Sequence, residues 1–142
     1  MLLIMPDDNQ DEKQPARVLF VCVENSCRSQ IAEAFAHMHG RGFIEPYSAG
    51  SRPSGQVNPK AVQSMSEVGY DLSAHHSKSL SEIPALEYDF AVTMGCGDEC
   101  PYVRARRRED WAIPDPKEMD AVEFRKVRDM IETKVKELIT RL

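Results

Sequence analysis

Three residue types stand in a spacing that suits attack on an oxyanion: the cysteine, arginine and serine of Cys22-Val23-Glu24-Asn25-Ser26-Cys27-Arg28-Ser29. A thiolate is the attacking form of cysteine, and cationic surroundings favour it. Arg28 offers a planar fork of donors that fits a tetrahedral oxyanion in bidentate fashion. Ser29 can hydrogen-bond a sulfur anion and favour it further. The chemistry implied is attack by Cys22 on the central atom of an anion held by Arg28 and by the loop from Val23 to Ser29. The bland alternative makes Cys22 and Cys27 small buried hydrophobes, a common use of cysteine.

The flanking elements decide between these. Val18 to Val21 is a short apolar run, as in a buried strand of a parallel sheet, and the first strand is expected over Arg17 to Val21. Ser29 to His39 has Ile31, Ala34, Phe35 and Met38 at helical spacing. The loop therefore joins a strand end to a helix start, where unpaired N–H groups and the positive helix end attract an anion. A second strand is expected over Phe43 to Ser48, at a sheet edge because of Pro46. Asn58 and Pro59 open a helix that Gly69 ends. Leu80 to Leu86 suggests a short helix, Tyr88 to Met94 a third strand and Asp110 to Ile113 a short fourth one. A final helix runs from Ala121 to Leu142, with an apolar face of Val122, Phe124, Val127, Ile131, Val135, Leu138 and Ile139. The pattern predicts an α/β fold of three layers, a four-stranded parallel sheet with helices on both faces.

Length and composition fit this. The 142 residues suit one domain, and 42% hydrophobic with 29% charged residues is ordinary for a globular chain. A net charge of −5 argues against nucleic acid as a partner and gives no long-range attraction for an anion, so anion affinity must be local. Residues 1–16 are expected to be a disordered leader and 17–142 the domain. No export signal or membrane span is apparent, which predicts a cytoplasmic protein, and nothing in the sequence requires more than a monomer. Four cysteines in such a chain point to catalysis or metal rather than a disulfide framework. Cys96 and Cys100 have two readings, a redox pair or half a zinc site that lacks its other half. His75-His76 reads as loop histidines, since adjacent residues share no face and no ligand set completes them. Arg104, Arg106, Arg107 and Arg108 are either a docking patch for an acidic partner or a solvated basic surface.

The loop resembles that of the low-molecular-weight tyrosine phosphatases and their relatives, the thiol-dependent arsenate reductases. The resemblance extends through Tyr47-Ser48-Ala49-Gly50, Asn58-Pro59, the stretch Glu67 to Ser73, Val92-Thr93-Met94, Asp115-Pro116 and the last helix, from about Arg17 onward. It implies that Cys22 is the nucleophile, that Asp115 protonates the leaving oxygen and that Asn25 holds the loop and bonds Ser29. A phosphatase needs one cysteine, whereas reduction of arsenate takes two electrons, which two thiols supply on becoming a disulfide. The resemblance with these extra cysteines predicts a relay: Cys22 attacks arsenate, Cys96 attacks Cys22 and expels arsenite, and Cys100 resolves the pair. A thioredoxin-like protein would then reduce Cys96–Cys100. No cofactor and no metal are expected, and phosphate or sulfate would mimic arsenate. Cys27 is dispensable in related reductases. Some relatives bind potassium through residues matching Asn25, Glu33, Ser48 and an aspartate, but the aspartate position holds Lys78 here, so an ammonium is expected to replace the ion. The alternatives are a phosphatase working through a Cys22 phosphocysteine, and a redox sensor using Cys96 and Cys100 without oxyanion turnover.

Overall fold

The protein is described here from a computed structural model covering residues 14–95 and 102–142. Cys96, Cys100 and all but the last three residues of the expected leader lie outside the described residues.

Four strands form one parallel sheet: β1 (Ala16–Cys22), β2 (Ile44–Gly50), β3 (Tyr88–Thr93) and β4 (Ala105–Asp110), in the order β2-β1-β3-β4. The helices are α1 (Arg28–His39), α2 (Pro59–Ser66) and α3 (Ala121–Thr140). The class expected from the sequence, a four-stranded parallel α/β sheet, is the one observed. β1 lies in the interior of the sheet, which is why its run from Val18 to Cys22 is apolar and buried. β2 takes Pro46 at an edge, where a missing ladder donor is tolerated.

Side chains alternate across β1. Val18, Phe20 and Cys22 enter one cluster with Ile31 and Phe35 of α1, Met65 of α2 and Phe124, Ile131 and Leu138 of α3. Leu19 and Val21 enter a second cluster with Ala49, Tyr88 and Ala91. Leu80 and Ile83, in and after a 3-10 turn (Leu80–Glu82), pack on that second face. This single turn of 3-10 helix occupies part of the stretch expected as a longer helix. The helices are capped as their sequences allow: Asn58 accepts from the Lys60 N–H, and Asp120 from the Glu123 N–H. Arg125 and Arg128 both bind Glu67, tying α3 to the end of α2, and hold the Glu67 carboxyl down to about 2.

The fourth strand departs from expectation. It occupies Ala105–Asp110, and Trp111 and Ile113 follow it as buried loop residues of the main core. Arg106, Arg107 and Arg108 are strand residues with exposed side chains. Arg106 pairs with Glu87 at 3.7 Å, Arg107 covers the Phe90 ring at 5.9 Å, and Arg108 donates to the Val103 carbonyl. Charged side chains of this kind protect an edge strand from pairing with another chain.

The register sets the site. Cys22 lies opposite Gly50, and Val21 lies opposite Thr93. The carboxyl ends of β2, β1 and β3 thus meet at one edge, where open α/β sheets bind ligands.

Candidate active site

Cys22 is the last residue of β1 and Arg28 the first of α1, so the loop between them is fixed at both ends by regular structure. Cys27 takes the N-cap position without a side-chain cap bond. The first turn of α1 is therefore left to face whatever occupies the loop.

Asn25 shapes this loop. Its φ of 51° is left-handed, a conformation asparagine tolerates better than most residues. Its side chain is fully buried and every polar valence is used: Nδ2 donates to Ser29 Oγ at 2.8 Å and Ser48 Oγ at 3.0 Å, while Oδ1 accepts from Gln30 Nε2 at 2.8 Å and the Lys78 N–H at 2.9 Å. Ser29 Oγ in turn lies 2.8 Å from Cys22 Sγ. Ser29 also accepts from Asn25, which leaves its own proton available to the sulfur.

Arg28 is aimed by the backbone. Its Nη1 donates to the carbonyls of Met94, at 2.6 Å, and Ile113, at 2.9 Å. These hold the guanidinium between the end of β3 and the loop that leads to Asp115. Its Nη2 lies 3.8 Å from Asp115 Oδ2, and the Asp115 side chain is about half exposed at the mouth. The Lys117 N–H donates to Asp115 Oδ1 at 3.0 Å and orients that carboxylate.

These groups line a cleft of about 450 Å³ whose walls include Cys22, Glu24, Arg28, Arg52, Asp115 and Lys117. Val23, Ser26 and Cys27 also face it, whereas Asn25 and Ser29 do not. Of the seven loop residues expected to bind the anion, these two have their side chains behind the loop, where they position it. Glu24 turns toward Lys117, with 2.9 Å between Oε2 and Nζ. Burial pushes the Cys27 thiol up to about 12. The described set thus brings a cysteine sulfur, an arginine fork and a carboxylate together around one cleft.

A model of the family "low molecular weight phosphotyrosine protein phosphatase" matches residues 17–142. The chain belongs to this family. Within it, the chain is 39% identical over 129 residues to the glutaredoxin arsenate reductase of Synechocystis sp., covering 89% of this chain and 98% of that one. It superposes with a TM-score of 0.81 on a solved arsenate reductase in the phosphate-binding state, at 39% identity and with the same coverage of each chain. A thioredoxin-dependent arsenate reductase of Corynebacterium glutamicum gives a TM-score of 0.71 at 30% identity, covering 94% of this chain and 65% of that one. The phosphatase family thus includes reductases, and these close relatives carry that name.

Lys78 stands where the sequence suggested a cation substitute. Its Nζ lies 3.3 Å from Ser48 Oγ and 3.7 Å from Glu33 Oε1, and the Glu33 carboxyl is held below its usual range by His37, Ser48 and Lys78 against the opposing effect of burial. Ser48 Oγ donates to Glu33 Oε1 at 2.5 Å. A chain of bonds therefore runs from Glu33 and Lys78 through Ser48, Asn25 and Ser29 to the Cys22 sulfur.

Two groups escaped the sequence reading. Arg52, beyond Gly50 at the end of β2, lines the cleft, and its N–H donates to the Val23 carbonyl at 2.8 Å. Nothing local in Ser51-Arg52-Pro53 marks it, because its place depends on the β1–β2 register. His75 is the other. It is no idle loop histidine: Nδ1 lies 2.9 Å from Gln30 Oε1 and Nε2 lies 2.7 Å from the Tyr70 hydroxyl. Burial pushes its ring below the usual histidine range. Among the described residues no helix is long and apolar enough to cross a membrane.

Proposed function

We propose that this chain reduces arsenate to arsenite by a cysteine relay. The observation that carries the proposal is the position of Gly95. It lines the same cleft as Cys22, and Cys96 is the next residue in the chain. The chain thus leaves the wall of the oxyanion site directly into the segment that bears Cys96 and Cys100. The arsenate reductase relatives support the substrate.

In the first step the Cys22 thiolate attacks arsenate held by Arg28 and the loop N–H groups. An S–As bond forms and one oxygen leaves as water. The Cys96 thiolate then attacks the Cys22 sulfur. The S–As bond breaks, its electron pair goes to arsenic, and arsenite departs as As(III) while Cys22 and Cys96 become a disulfide. Cys100 attacks Cys96, forming Cys96–Cys100 and releasing the Cys22 thiolate. Two thiols have given two electrons, and an external dithiol protein of the thioredoxin or glutaredoxin class returns them. Cys22, Arg28, Cys96, Cys100 and Asp115 are the residues assigned to catalysis.

The test is a thiol map. Reduced protein is incubated with arsenate without oxygen, alkylated under denaturing conditions and compared by intact mass and peptide mapping with a phosphate control. A Cys96–Cys100 link formed only with arsenate is expected. Four free thiols after arsenate, with steady hydrolysis of an aryl phosphate, would instead make the chain a phosphatase acting through a Cys22 phosphocysteine.

A further inference from the structure

Glu33 and His37 lie one turn apart on α1, with His37 Nε2 3.4 Å from Glu33 Oε2. His75 reaches the same place from beyond the 3-10 turn Leu72–Ala74, its ring edge-on to His37 with centroids 6.1 Å apart. One ligand atom from each of Glu33, His37 and His75 lies within 4.8 Å of the others. We propose that Glu33, His37 and His75 form a site for a borderline divalent transition metal of the zinc, cobalt or nickel type, behind the anion loop.

The geometry fits such an ion. Tetrahedral coordination with bonds of about 2.1 Å places ligand atoms about 3.4 Å apart. The Glu33–His37 separation already has this value. His37 is half-exposed, so a turn of its ring away from its stacking on Tyr70 can bring the remaining separations in. Two imidazoles and one carboxylate, with a fourth position open to water, suit these metals and not calcium or magnesium, which take oxygen ligands.

The protonation of His75 is also settled by its neighbours. Gln30 Nε2 donates to Asn25 Oδ1 at 2.8 Å and to the His76 carbonyl at 2.9 Å, so Gln30 Oε1 is an acceptor and His75 Nδ1 carries the proton. His75 Nε2 therefore holds a lone pair, directed at present to the Tyr70 hydroxyl. A histidine oriented by a hydrogen bond from its other nitrogen is the usual form of a metal ligand. On binding, the ion takes the Nε2 lone pair and Tyr70 releases it. Glu33 divides its two oxygens between roles: Oε1 keeps Ser48, and Oε2 faces His37 and the ion. Both Glu33, through Ser48, and His75, through Gln30, are one residue removed from Asn25. An ion here would brace the back of the anion loop from two sides. The proposal does not depend on arsenate chemistry.

Cysteine thiolates compete for these ions, so the probe must report its ligands. The full-length reduced chain is titrated with Co²⁺ by calorimetry and absorption spectroscopy. Thiolate ligation gives intense near-ultraviolet charge-transfer absorption, which imidazole and carboxylate ligands do not. The expected result is one equivalent bound without that band. His37→Ala and His75→Asn should each lower affinity at least about tenfold, since even losing an outer partner of a metal-bound histidine costs that much. Cys22→Ser should leave binding unchanged. His37 is on an exposed helix face, so its replacement tests the site in a folded chain, checked by circular dichroism. Affinity unchanged from that of the unaltered chain in both histidine variants, or binding that carries the thiolate band, would overturn the proposal.

Discussion

The Ser29 hydroxyl stands 2.8 Å from the Cys22 sulfur and receives a hydrogen bond from Asn25, which leaves its proton available to the sulfur. In Cys27, five residues along the same loop, burial keeps the thiol protonated to about 12. The two cysteines should separate cleanly. Cys22→Ser should abolish arsenate-dependent disulfide formation, and Cys27→Ser should retain it. Iodoacetamide at pH 8 should label Cys22 first, read by peptide mass. Preferential labelling of Cys27 would reverse the assignment.

The same burial has a stability consequence with a definite sign. The unfolded Cys27 loses its proton near its ordinary value of 9.0, whereas the folded one keeps it to about 12. Between these values the native state binds more protons than the unfolded one, so stability present below pH 9 is lost as pH rises toward 12. Denaturant unfolding at pH 8 and pH 10 should show a smaller loss in Cys27→Ser, whose hydroxyl does not titrate in this range.

Gly50 faces the loop so closely that a Cβ on it would lie 2.5 Å from the Val23 carbonyl oxygen and 2.9 Å from the Asn25 nitrogen. Both are backbone atoms and cannot swing aside. Gly50→Ala should displace the loop, cost about 1–3 kcal/mol of stability by overpacking and weaken phosphate binding. Gly42→Ala is the control. Its φ of 84° makes alanine strained, but nothing surrounds the added atom, so it should cost about 1–2 kcal/mol without touching phosphate affinity. Calorimetric titration with phosphate separates the two, and equal affinities would remove the loop from the explanation.

The anion loop was legible in the sequence because its parts are adjacent: a strand, a cysteine, an arginine and a helix need only local rules. Lys78 was legible through resemblance. The fourth strand was not. Ala105–Asp110 has no apolar alternation, since it is an edge strand whose charged residues face water, and pairing with β3 rather than its own pattern makes it a strand. Trp111 and Ile113, which looked like strand, are apolar because they plug the core beside Phe20. The His37–His75 encounter was invisible for a different reason. Glu33 and His37 show helical spacing, but only the packing of the chain after Leu72 onto α1 brings His75 to them.

Lys78 Nζ, at 3.3 Å from Ser48 and 3.7 Å from Glu33, supplies a fixed positive charge where some relatives are expected to hold potassium. Exchange of sodium for potassium should leave turnover unchanged. Lys78→Asp should restore a response, because it returns a carboxylate and removes the ammonium from beside Ser48. Initial rates in matched sodium and potassium buffers test both, and strong stimulation of the unaltered chain by potassium would sink the substitution argument.

Asp115 should separate hydrolysis from reduction. Its carboxylate lies at the cleft mouth, 3.8 Å from Arg28 Nη2, and is turned there by the Lys117 N–H. Cleavage of an aryl phosphate ester needs a proton delivered to a leaving oxygen that carries none of its own, and a positioned acid contributes about 10²–10⁴ in rate. Arsenate brings protons on its own oxygens, so loss of water from it depends less on Asp115. Asp115→Asn should therefore reduce any aryl phosphate hydrolysis by about 10²–10⁴ while slowing arsenate-driven disulfide formation far less. Parallel assays on one preparation decide the matter: equal losses in both would mean that Asp115 acts by holding Arg28 in place, a role in which the charge rather than the proton is what counts.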